Sequence, residues 1–155
     1  MIKVDVFIKN KNWKKKISNP SKYLNSKVKY LKSSISFLKN KNINFSLQLA
    51  GNKEIKLLNK KFRKKNKTTD VLSFPSIDFN KLKKLKKKDI YLGDIILNYY
   101  KINKKNFKEN FNKLWIHGFL HLIGHKHKKN CDYFKMNILE KLILRKIKKN
   151  NVRLF

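Results

Sequence analysis

Two apolar patterns interleave along this chain: alternating runs, and runs that recur every three to four residues. Their order is strand, helix, strand, helix, two strands, two helices. It predicts an α+β fold, a small mixed β-sheet of about four strands with a central buried helix and other helices around it. Composition agrees with a folded chain. Its 155 residues are enough for a hydrophobic core, and 41% are hydrophobic beside 32% charged, a larger apolar share than disordered chains carry. Neither an internal repeat nor a long linker divides the sequence, so residues 1–155 are read as one domain.

The elements follow in order. Ile2, Val4, Val6 and Ile8 alternate with Lys3, Asp5, Phe7 and Lys9 as a first strand. Asn19-Pro20 opens a helix, since proline suits a first helical turn. Leu24, Val28, Leu31, Ile35 and Leu38 form its single buried stripe. Ile43, Phe45, Leu47 and Leu49 alternate as a second strand, and Gly51-Asn52 turns into a short helix bearing Ile55, Leu58 and Phe62, with Asn52 as its cap. After a basic loop, residues 63–69, the run from Asp70 to Phe74 reads as a strand that Pro75 ends. Residues 81–88, nearly all lysine, read as a solvated loop or frayed helix. Ile90-Tyr91-Leu92 and Ile95-Ile96-Leu97 make a strand in which Gly93 marks a bulge or a close approach. Residues 107–123 are apolar nearly all round, which places that helix at the centre of the fold. Phe134, Ile138, Leu139, Leu142 and Ile143 define a closing helix.

A formal charge of +32 points to a polyanion partner. Of 41 basic residues only Arg63, Arg145 and Arg153 are arginine, and asparagine and isoleucine are abundant. An AT-rich coding sequence produces that skew unaided, so part of the charge is compositional; even so, such a surface holds RNA phosphates by counterion release. A membrane partner is not expected. The most apolar stretch, residues 114–123, is short and interrupted by histidines, the N-terminus alternates instead of forming an apolar leader, and two leucines among residues 81–88 anchor nothing. Cys131 is the only cysteine, which rules out an intrachain disulfide and fits a reducing cytoplasm. Its thiol is read as a plain helix-terminal group ahead of a fourth metal ligand.

All four histidines fall between His117 and His127. Three stand in the spacing H-x3-H-x2-G-x2-H. On a helix His117 and His121 project from one face, Gly124 ends the helix, and His127 swings round as a third ligand. Three neutral imidazoles hold one divalent transition metal, zinc first among the candidates, and leave a fourth position open for chemistry. Nickel and others also suit such a site. His125 is not counted among the ligands. The same spacing occurs in metzincin peptidases, but their general-base glutamate would stand at position 118, where this chain has glycine.

The segment from His117 to Gly124, closed by His127, resembles the H-G-x-L-H-L-x-G-x-x-H motif of the YbeY endoribonucleases. Leu58-Asn59 through Arg63 to Thr69-Asp70-Val71-Leu72-Ser73-Phe74-Pro75, and Leu92-Gly93-Asp94-Ile95, fit the same family. The resemblance implies a single-metal, single-strand-specific RNA hydrolase of the bacterial cytoplasm. It would act on ribosomal RNA precursor, notably the small-subunit 16S 3′ end, and in ribosome quality control, with the ribosome or ribosomal proteins as further partners. It implies metal ligands at His117, His121 and His127 and a functional arginine at Arg63. An arginine in a lysine-dominated chain fits a bidentate grip on phosphate; the alternative is an ion pair with Asp70. The family's tyrosine and aspartate just before the third histidine are His125 and Lys126 here. Asp70 and Asp94 are therefore the candidate helper carboxylates, each with an ordinary alternative as a turn residue or lysine partner. A non-catalytic ribosome-assembly factor is the rival reading, and a metallopeptidase a distant third.

Overall fold

The computed structural model of the chain describes residues 1–86 and 89–152. A four-stranded sheet runs through it in the order β1-β2-β4-β3, from β1 (Ile2–Ile8), β2 (Asn42–Ala50), β3 (Val71–Pro75) and β4 (Asp89–Asn98). β1 is parallel to β2 and β2 to β4, whereas β3 runs antiparallel to β4. The α+β architecture with a mixed four-stranded sheet is as the alternation predicts. Parallel neighbours need long crossovers. α1 (Pro20–Lys27) and α2 (Lys29–Ser34) lie between β1 and β2, while α3 (Asn52–Arg63), β3 and α4 (Phe79–Lys84) separate β2 from β4.

The two faces of the sheet are loaded differently. Phe45, Leu47 and Leu49 of β2 and Leu92, Ile95 and Leu97 of β4 belong to the main core, where α5 (Phe107–Leu122) buries Phe111, Trp115, Ile116, Phe119 and Leu120. On the other face Ala50, Leu72 and Ile96 meet Ile55 of α3 in a smaller cluster. α5 is central and buried nearly all round, as expected. Each fully buried side chain of that size contributes about 1.5–3 kcal/mol, so packing against the sheet holds α5 in place. Closing the fold, α6 (Asn130–Val152) packs on α5 and α2.

Several expectations need correction. The single helix over residues 20–38 is broken: α1 and α2 meet at Val28, and Ile35 is extended at φ −121° before a short 3-10 turn, Ser36–Leu38. Ser33 and Ser34 donate their hydroxyls to the Tyr30 carbonyl, a local bond that competes with helix continuation. The apolar stripe is nonetheless buried throughout. Asn52 does not cap α3. Gly51 takes that position, and Asn52 Oδ1 accepts from Asn98 Nδ2 at 2.8 Å, tying the start of α3 to the end of β4. The lysine-rich run is partly α4, whose Leu82 is fully buried, while Lys87 and Lys88 lie outside the described residues, as does Arg153. On α6 the core side carries Met136, Ile143 and Ile147, with Leu139 partly buried. Phe134, Ile138 and Leu142, a stripe of their own at steps of four, face solvent. Trp13, on a 3-10 turn that no alternation marked, is fully buried with its indole N–H on the Ala50 carbonyl. Gly93 does mark a bulge, since the β2–β4 register shifts between Asn44 and Ser46.

Candidate metal centre

The site is built by the end of α5 and the loop that follows. His117 and His121 lie one turn apart on α5. The helix then stops in a Schellman turn: the His125 N–H bonds the Leu120 carbonyl at 3.0 Å and the Gly124 N–H bonds the His121 carbonyl at 3.1 Å. Gly124 has φ +101°, a conformation open to glycine, and a Cβ there would lie 2.5 Å from Phe79. The turn folds the chain back and delivers His127. The three imidazoles stand together, with ring centroids 4.7 to 4.9 Å apart and one ligand atom of each within 4.8 Å of the others.

The orientation of the rings is also set. His121 Nδ1 lies 2.7 Å from the His125 carbonyl, so Nδ1 carries the proton and Nε2 presents its lone pair. On the other ring, His117 Nδ1 faces Glu140 Oε2 at 3.4 Å. The two Nε2 atoms are 3.1 Å apart. Tetrahedral bonds of about 2.0–2.1 Å put neighbouring nitrogens roughly 3.3–3.4 Å apart, so this pair fits a shared tetrahedral metal with little adjustment. Burial lowers the His121 pKa to about 4, with the His125 bond opposing the shift and the charges of His117, His127 and Arg63 adding to it. The ring is thereby kept in the neutral form that coordinates.

Position 118, where a metallopeptidase would carry its glutamate, faces the sheet. A Cβ on Gly118 would meet Ile95 Cγ2 at 2.8 Å and Ser73 Oγ at 3.1 Å, and Ser73 Oγ donates to the Gly118 carbonyl. Any side chain there would enter the core instead of reaching the histidines.

The other expected residues fall in different places. Arg63 is the exposed last residue of α3, and its charge acts on His121. Among the described residues no salt bridge involves it, so the ion pair with Asp70 does not form. Asp70 is exposed and accepts from the Val71 N–H at 2.8 Å and from Thr69 Oγ1, the bonds of a residue starting a strand. Asp94 is turned away. It accepts from Ser46 Oγ and, at 2.5 Å, from Tyr91 Oη, on the sheet face opposite α5. Neither aspartate offers an oxygen to the histidine cluster. Glu140, which the sequence did not single out, does face it. A cavity of about 170 Å³ opens beside the histidines, lined by His117, His127, Tyr133, Met136, Asn137 and Glu140. The His125 side chain, its pKa lowered by burial, lines a separate cleft with Lys83 and Lys126, while its carbonyl orients His121. Cys131 is exposed and stands outside the cluster.

Comparison with known proteins gives a consistent picture. The family model described as endoribonuclease YbeY matches residues 7–148. An endoribonuclease YbeY of Pelagibacter ubique (strain HTCC1062) is 47% identical over 154 residues, covering 96% of this chain and 97% of the relative. One from Ehrlichia canis (strain Jake) is 31% identical over 153 residues, covering 95% and 93%. The solution structure of a Thermotoga maritima protein superposes with a TM-score of 0.56 over 97% of this chain and 93% of that one, at 23% identity, a likeness of fold. Among the described residues no helix is long and apolar enough to cross a membrane.

Proposed function

The chain belongs to the endoribonuclease YbeY family, and from that membership together with the three-imidazole cluster we propose that it is a metal-dependent hydrolase of single-stranded RNA. The substrate in this reading is ribosomal RNA precursor, with the small-subunit 16S 3′ end as the processed site. Ribosome quality control in the cytoplasm is the setting, and ribosomal proteins are further partners. The observation that carries it is the convergence of His117, His121 and His127, with the His121 ring oriented by the His125 carbonyl.

A divalent transition metal, zinc first, would be held by these three rings and would supply Lewis acidity toward water and a phosphoryl oxygen. The chain's own residues do the rest. The His125 carbonyl and Glu140 hold two of the rings in register through their Nδ1 atoms. Glu140 also lines the cavity, and the carboxylate oxygen not paired with His117 would take up a proton relayed from the attacking water. It thus fills the role assigned from sequence to Asp70 or Asp94. Arg63 grips the phosphate through its guanidinium fork, and the surrounding lysines hold the strand.

The test pairs elemental analysis with cleavage of ribosomal RNA precursor for the wild type and His121→Ala. One metal per wild-type chain, lost together with cleavage in the variant, is expected. Equal metal in both proteins refutes the three-histidine assignment.

A further inference from the structure

We propose that Tyr133 is a stacking platform for one nucleobase of the RNA beside the three histidines, and so a determinant of the preference for unpaired strands. The proposal rests on the endoribonuclease reading above and names a residue of this chain that acts in it. Tyr133 lies in the first turn of α6, with its ring centroid 6.0 Å from that of His127 at 78°. It forms one wall of the cavity that His117, His127 and Glu140 also line. Its neighbour Met136 turns into the core, yet Tyr133 remains 59% exposed and belongs to no core cluster. Among the described residues its hydroxyl makes no hydrogen bond to the protein, and the edge contact with His127 is the one aromatic contact that the fold gives this ring.

The surroundings point to a nucleic acid strand. Lys126, Lys128, Lys129 and Lys135, all close to Tyr133 along the chain, are exposed, with Lys126 and Lys135 lining the separate cleft beside His125. A basic surface that follows the backbone, with an aromatic ring on which a base stacks, is how proteins hold single strands. Bases within a duplex already cover one another's faces and offer none to a side chain, whereas unpaired bases can be splayed out onto it. A base on Tyr133 sets its own phosphodiester within one nucleotide's reach of His127. The ring therefore contributes position as well as affinity.

Phe134 is the internal control. It is 64% exposed on the same turn but does not line the cavity. The experiment uses the metal-loaded protein and a single-stranded RNA carrying 2-aminopurine beside the cleaved bond. Fluorescence, KM and kcat are read for the wild type, Tyr133→Phe, Tyr133→Ala and Phe134→Ala. Stacking predicts quenching on binding to the wild type, Tyr133→Phe and Phe134→Ala, and none with Tyr133→Ala. Tyr133→Ala should also raise KM about tenfold, with a smaller fall in kcat. Its preference for single-stranded over duplex RNA should narrow. Unchanged quenching and KM in Tyr133→Ala, or an equal loss in Phe134→Ala, overturns the proposal. Failure of the underlying reading looks different: the wild type would then bind and quench the probe without cutting it.

Discussion

Gly124→Ala tests whether the helix stop builds the metal centre. At φ +101° an alanine meets the strain that keeps L-residues out of that region, about 1–2 kcal/mol. Its Cβ would also sit 2.5 Å from Phe79 Cβ and Cγ, well inside contact distance, and overpacking of this kind costs about 1–3 kcal/mol. Together these come to about 2–5 kcal/mol, a large part of the stability of an ordinary domain. The chain can relieve the strain by unwinding the Schellman turn. Doing so moves the His125 carbonyl off His121 Nδ1 and carries His127 away from the other two rings. Loss of an orienting partner alone weakens metal affinity by roughly 10–100-fold. The assay is a competition titration against a chelator, run beside urea unfolding of the metal-free protein. Both the affinity and the unfolding midpoint should fall. A variant with wild-type midpoint and affinity would show that neither the turn nor the Phe79 contact holds the site in place.

Three further outcomes follow from the same geometry. Arg63→Lys should bind RNA nearly as well as the wild type but cleave it roughly a hundredfold more slowly, because an ammonium lacks the bidentate fork and about an ångström of misplacement has that effect on rate; near-normal cleavage would reduce Arg63 to one more positive charge. Because burial lowers the His121 pKa from 6.5 to about 4, the unfolded chain takes up a proton that the folded chain resists. The contribution of His121 to the stability of the metal-free protein is therefore intact above pH 6.5 and declines as pH falls toward 4. A urea midpoint that stays flat across that window, or falls equally in His121→Gln, would contradict the assignment. Finally, RNA affinity should drop steeply between low and moderate salt, with a slope that counts several lysine–phosphate contacts; a flat response would mean that the +32 charge does not face the substrate.

How legible each part was depends on whether its determinants are local. The strands and α5 were readable because alternation and all-round apolarity reflect burial directly, and the metal ligands because one helical turn plus a glycine stop is a local geometry. The break at Val28 and Ile35 was hidden, since the apolar stripe runs on unchanged through it and only serine back-bonding and the extended backbone of Ile35 reveal it. α6 misled for a related reason. It is apolar on two sides, and only its contact with α5 decides that Met136, Ile143 and Ile147 go inward while Phe134 and Ile138 stay out.

The helper carboxylate shows the limit most clearly. Asp70 and Asp94 belong to motifs and so attracted attention, but the bulge at Gly93 puts Asp94 on the far face of the sheet with Ser46 and Tyr91. Glu140 lies twenty-three residues from His117 on another helix, where no spacing rule connects them. One signal was available. The chain has only nine acidic residues, so an acid kept on the helix after the third histidine was worth weighing against its ordinary role as a lysine partner. Rarity alone could not say which way it pointed; the packing of α6 on α5 does. Exchange of Glu140 for glutamine separates its two tasks: the amide can still accept from His117 Nδ1, but it cannot take up a proton. Metal content should therefore survive in Glu140→Gln while the cleavage rate falls, by roughly the 10²–10⁴-fold that general-base catalysis contributes. Equal losses of metal and rate would confine Glu140 to orienting His117, and an unaffected rate would return the search for the base to solvent.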